Sequence, residues 1–245
     1  MDLRLIIPFV AEWLGVIAVC MILGTVERLK PERVGYRYPR REAVIALSLF
    51  AAVFFLNIVF FSGGFRLPLA VSPVETLGFL WQRLVVSLAA GMVFLLALLA
   101  RRQPMRSAGY TKRANAGLRW GLVLGFLTVF LRGAVFKMTN GLSAGELSAL
   151  GAWLGIALAE EMIFRGYIQS RLEWFTHPRW GLVITAALFV LWQLPRLLLN
   201  PAGMWLGLAF AAAQGLVLGW VMQKSGHVLA PMLYRAVSEW LVYLV

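Results

Sequence analysis

Residues 159–166 read Ala159-Glu160-Glu161-Met162-Ile163-Phe164-Arg165-Gly166, which puts three ionisable side chains inside one apolar run, Leu147 to Ile168. A soluble amphipathic helix keeps such residues on a polar face. Here apolar residues lie on every side of them, so there is no such face. A charged group at bilayer depth costs at least a few kcal/mol, and is as a rule paired, turned inward and functional. On a helix Glu161 and Arg165 are four residues apart and lie over one another, a spacing that suits an ion pair. Glu160 points about 100° away and faces a different neighbour. Spacing alone leaves two readings open: a structural pair that fixes helix packing, or a functional site.

The rest of the chain fits the membrane reading. Its 245 residues are 61% hydrophobic and 14% charged, and the mean hydropathy is +0.79. That composition is hard to reconcile with a soluble domain and defines an all-α, polytopic membrane bundle. The formal charge of +12 would suit nucleic acid in a soluble protein. Most of the excess, however, lies in short loops between apolar runs, the positive-inside pattern. The expected partner is therefore the lipid bilayer and not nucleic acid. The single cysteine, Cys20 in the first apolar run, excludes an intrachain disulfide and a thiolate metal cluster. Asp2 and Arg4 lead into that run without a small-residue cleavage pattern before Glu27, so no cleavable signal is expected.

About eight spans are expected: Ile6 to Thr25, Ala43 to Phe61, Leu77 to Ala100, Trp120 to Phe136, Leu147 to Phe175, Trp180 to Leu194 (ending near Pro195 or continuing kinked past it), Met204 to Met222 and Val228 to Leu244. The loop Glu27 to Glu42 holds Arg28, Lys30, Arg33, Arg37, Arg40 and Arg41, and the loop after the third span holds Arg101, Arg102, Arg106, Lys112, Arg113 and Arg119. Both loops are expected to be cytoplasmic, with both termini on the non-cytoplasmic side of a bacterial-type plasma membrane. Ser62-Gly63-Gly64, Pro68, Pro73, Asn140-Gly141 and Asn200-Pro201-Ala202-Gly203 fall in the outer turns. His177-Pro178 and Lys224-Ser225-Gly226 fall in the inner ones. Ser143 and Glu146 have the spacing of a capping box at the start of the fifth span. Arg83, near the outer end of the third span, is expected to snorkel to the interface. Glu12 and Arg132 are further charges inside spans. The chain is expected to form one membrane domain: residues 1–116 give about three helices and the basic loops, and 117–245 form a core bundle.

The turn at His177-Pro178 makes the fifth and sixth spans antiparallel, with Glu160 about 17 residues before it and Gln193 about 16 after it. Both then lie at nearly the same depth, so Gln193 is a candidate to meet Glu160. Its other reading is a side chain satisfied by a backbone carbonyl beside Pro195. Arg235 and Glu239 in the last span are again four apart, and Glu239 is expected to occupy Arg235. One shared polar site is expected: Glu160, Glu161, Arg165, Gln193, Arg235 and Glu239. It carries three acids against two arginines, so a proton, water or ion is needed to balance it.

Glu160-Glu161-Met162-Ile163-Phe164-Arg165-Gly166 resembles the EExxxR signature of the CPBP membrane proteins, the CAAX prenyl endopeptidases and bacteriocin-processing proteins. The similarity runs over roughly residues 117–245 and includes Phe189 to Gln193 and Gly226 to Glu239. It implies an eight-helix or similar bundle holding an intramembrane peptidase site open to the cytoplasm. In that site the first glutamate and the histidine of an FxxxH motif activate water, while a later histidine and an asparagine four residues on steady the oxyanion. This chain departs from the pattern at three positions. Gln193 stands at the first histidine, Arg235, placed by Pro231, at the second, and Glu239 at the asparagine. A rival alignment would use His227 of the inner turn; His177 is a loop residue.

Glutamine does not exchange a proton near neutral pH and arginine does not deprotonate. Glu160 is then the sole general base, and loss of acid–base help costs about two to four orders of magnitude in rate. No cofactor is expected, nor a metal, since the cluster offers neither imidazole nor thiolate. The leading expectation is a catalytically degenerate member acting as a membrane scaffold, assembly factor or subunit of a protein complex. The alternative is an active glutamate-dependent endopeptidase acting on a peptide or protein substrate, as in CAAX-type or leader-peptide processing. A transporter or proton relay comes third, prompted by Glu12 and Arg132.

Overall fold

The protein is described by a computed structural model covering residues 3–26, 35–63, 77–199 and 201–244. Among these residues every regular element is a helix: α1 (Leu3–Val26), α2 (Pro39–Phe61), α3 (Leu77–Ala100), α4 (Ala114–Leu131), α5 (Val135–Thr139), α6 (Ala144–Glu161), α7 (Ser170–Phe175), α8 (Pro178–Leu197), α9 (Met204–Ser225) and α10 (Leu229–Leu244), with short 3-10 turns at Met105–Ala108 and Pro201–Gly203. A π-helical stretch, Met162–Gln169, joins α6 to α7, so Ala144–Phe175 forms one long helix. Seven helices are long and apolar enough to cross a membrane. The chain is an integral, multi-pass membrane protein. The eighth expected span is α10, with 16 residues. Arg28, Lys30, Arg33, Gly64, Pro68, Pro73 and Asn200 lie outside the described residues.

Local sequence explains most helix ends. Ser143 and Glu146 form the expected reciprocal capping box. His177 caps α8, its side chain accepting from the Arg179 amide, and Pro178 occupies the first turn where no amide is needed. Of the two expected endings the helix takes the second: α8 runs through Pro195 to Leu197. The fourth span ends earlier than its apolar run suggests. Gly133 takes a left-handed conformation (φ +67°) after Leu131, a backbone state that glycine adopts without strain. The break frees Arg132 to reach α1, where its guanidinium lies 2.5 Å from Glu12. Tyr234 and Ser238 of α10 also donate to Glu12, at 2.8 and 2.7 Å. Glu12 and Arg132 therefore pair with each other and tie α1, α4 and α10 together.

The basic segments meet at one end of the bundle. Glu42 accepts from Arg101, Gln103 and Arg171, and Arg171, fully buried, also donates to the Ser107 carbonyl at 3.0 Å. Tyr36 donates to the same carbonyl at 3.1 Å, and Trp174 donates to the Tyr36 carbonyl at 3.1 Å. The loop between α3 and α4 is sealed onto the π-helical stretch and the turn before α10. The Val228 amide donates to the Gly109 carbonyl at 3.1 Å. A Cβ at Gly166 would come within 2.0 Å of the Ala108 carbonyl oxygen. His227 lies under this seal, its Nδ1 accepting from the Leu229 amide at 3.1 Å. Burial lowers its pKa below the ordinary imidazole value.

Exposed positions at the two ends provide a test of sidedness. Ser62, past the end of α2, and Lys112, in the second basic loop, are both exposed, whereas Ser107 is buried and unsuitable. With Cys20 replaced, single cysteines at 62 and 112 should react differently with a membrane-impermeant thiol reagent added outside. Position 62 is expected to label and 112 to stay protected. The reverse pattern would invert the orientation.

Candidate functional site

Five elements converge on the Glu160–Glu161 pair at the end of α6. Both side chains are fully buried. From α10, Arg235 bridges them: one terminal nitrogen makes a short contact to Glu160 and the other donates to Glu161 at 3.0 Å. From α3, Ser87 donates to Glu160 at 2.9 Å, and the Arg83 guanidinium lies 3.6 Å from the same carboxylate oxygen. From the π-helical stretch, Arg165 sits 3.2 Å from Glu161 and donates to the Gly215 carbonyl of α9 at 3.2 Å. From α8, the Phe189 ring lies beneath both Arg165 and Arg235, at 4.4 and 4.8 Å. Cation–π contact of this kind helps hold desolvated guanidinium groups.

The expected contact between Gln193 and Glu160 is made indirectly. Arg83 stands between them, donating to Gln193 at 3.5 Å, while the Asn57 amide occupies the neighbouring Trp192 carbonyl at 2.8 Å. Arg83 does not snorkel. Its side chain is 6% exposed and its guanidinium stacks at 4.9 Å over the Trp153 ring of α6. The six expected residues thus lie in one network only when Arg83 is included. Its inclusion also changes the charge count to three glutamates, Glu160, Glu161 and Glu239, against three arginines, Arg83, Arg165 and Arg235. The balancing proton or ion that two arginines required is no longer needed.

Arg235 and Glu239 form the i,i+4 ion pair that their spacing suggests, at 4.0 Å, and Arg235 in addition bridges Glu160 and Glu161. Glu239 also accepts from Gln214 of α9 at 3.1 Å. The reason is position. Arg235 sits on the face of α10 toward α6, whereas Glu239, one turn on, lines a cavity of about 190 Å³ with Gln193, Gln214 and Arg196. That cavity lies toward the end of the bundle opposite the basic loops, among early α1 and α9 residues and late α8 and α10 residues.

Chemically, both oxygens of Glu160 already face donors: Ser87 and Arg83 on one, Arg235 on the other. A general base needs a lone pair aimed at the proton it removes, and these donors engage part of the carboxylate's roughly four lone-pair directions. Among the described residues no group of three or more His, Cys, Asp or Glu is placed to hold a metal ion.

The fold and its apolar helices define the class: a multi-pass helical membrane protein. Residues 142–241 match the family described as Type II CAAX prenyl endopeptidase Rce1-like. The matched segment holds Glu160, Glu161, Arg165, Gln193, Arg235 and Glu239; Arg83 and Ser87 lie before it. No curated protein and no solved structure matches the chain.

Proposed function

We propose that this protein is a non-catalytic CPBP member, acting as a scaffold, assembly factor or subunit in the plasma membrane with both termini outside. The observation that carries the reading is Arg235. At the position where the resemblance implies an oxyanion-steadying histidine, a guanidinium clamps both Glu160 and Glu161. Such a group cannot give up a proton, and it keeps the one remaining base engaged. The helices of 1–116 add to the lock, because α3 supplies Arg83 and Ser87 to the core formed by 117–245. The alternative, an active glutamate-dependent endopeptidase, is favoured by the intact Glu160, Glu161 and Arg165.

The test restores the site by Gln193→His, Arg235→His and Glu239→Asn in one chain. The change removes one arginine and one glutamate from the network, so charge balance is kept. Restored and native chains are incubated with membrane-presented peptides and the products read by mass spectrometry. Cleavage by the restored chain alone is the expected result. Equal cleavage by both would favour the endopeptidase.

A further inference from the structure

The cavity that touches Gln193 and Glu239 has a charge pattern that the peptidase-like site does not use. Arg196, on its wall at the end of α8, has a buried Nε with no hydrogen-bond partner and forms no ion pair among the described residues. Glu239 on the α10 wall is bonded through one oxygen, Oε1, to Gln214. Among the described residues its other oxygen takes no hydrogen bond. A guanidinium and a carboxylate thus line one space without bonding each other, which leaves room for a ligand bearing both signs. Phe9 and Phe210, with ring centres 4.8 Å apart, give the same space an apolar wall.

Size narrows the ligand. A volume of about 190 Å³ is roughly that of six waters at ~30 Å³ each. It falls below the ~300 Å³ at which pockets begin to enclose whole small molecules. A headgroup fits this space better than a peptide segment. Chemistry narrows it further. An anionic headgroup or a peptide carboxylate would answer Arg196 and leave Glu239 facing a like charge. A choline headgroup brings a cation with no N–H to donate. An ethanolamine-type headgroup answers both residues with charge-assisted hydrogen bonds.

We infer that this cavity binds the headgroup of a phospholipid with a primary ammonium, its phosphate on Arg196 and its ammonium on Glu239. The inference does not depend on whether Glu160 performs chemistry.

The test uses the full chain, purified in detergent and stripped of lipid. Phosphatidylethanolamine, phosphatidylcholine and phosphatidylglycerol with the same acyl chains are added separately, and retention is read by native mass spectrometry. Phosphatidylethanolamine should be retained about tenfold better than either of the others, the scale of one charge-assisted hydrogen bond. Glu239→Gln should abolish that preference, whereas Arg196→Met should weaken retention of all three lipids, since each carries the phosphate, and Arg196→Lys should preserve it. Should these variants fail to fold, the three-lipid comparison on the native chain decides alone. Equal retention of the three, or preference for phosphatidylglycerol, overturns the inference. So does displacement of phosphatidylethanolamine by a peptide with a free C-terminal carboxylate but not by its amide, which would assign the cavity to a peptide.

Discussion

Arg235→Met should cost more folded protein than any other single change at the site. It removes the donors that reach Glu160 and Glu161 together and leaves three glutamates facing Arg83 and Arg165. Breaking one side of a buried ion pair costs about 3–5 kcal/mol, most of it from the charge left behind. Total stability is itself commonly only 5–15 kcal/mol, so the monodisperse fraction on size exclusion and the thermal midpoint in detergent should both drop sharply. Adding Glu160→Gln to the same chain restores the balance at two and two, and should recover much of the loss. If Arg235→Met behaves like the native chain, the guanidinium is not what holds the glutamates together.

The Glu161–Arg165 pair predicts the second large effect. Arg165→Met leaves Glu161 without its i,i+4 partner and frees the Gly215 carbonyl of a donor, again at about 3–5 kcal/mol. In the double variant Glu161→Gln with Arg165→Met the network is neutral, and the glutamine oxygen can still accept from Arg235. The double variant should therefore yield more folded protein than Arg165→Met alone. A double variant no better than the single would show that the pair is not energetically coupled.

Much of this arrangement was legible in the chain, for physical reasons that differ by residue. The capping box at Ser143 and the break at His177-Pro178 are local, and local chemistry decides them. The eight apolar runs follow from bilayer thickness. The Glu161–Arg165 spacing survives the switch from α to π winding at Met162 because the pair spans the junction. That winding is not written in any residue pattern. Its closest trace is Gly166, which accommodates the Ala108 carbonyl of a distant loop. Arg83 was misplaced because its distance from a span end suggests snorkelling. Two signals pointed to its true location: Ser87, four residues on and on the same face, and the unbalanced charge of a six-residue site. Glu12 and Arg132 were visible as opposite charges in separate spans, but their pairing depends on the Gly133 break. Spacing along one helix places Arg235 beside Glu239, but it does not show that Arg235 also reaches Glu160 and Glu161. Contacts between helices decided that case.

The most direct measurement of the central claim compares peptide cleavage by the native chain with that by Glu160→Gln, in the same membranes and with products read by mass spectrometry. With Glu160 held by Arg235, Arg83 and Ser87, the two chains should give the same product spectrum. Products formed by the native chain and lost in Glu160→Gln would contradict the account, because they would show Glu160 acting as a base despite the donors around it.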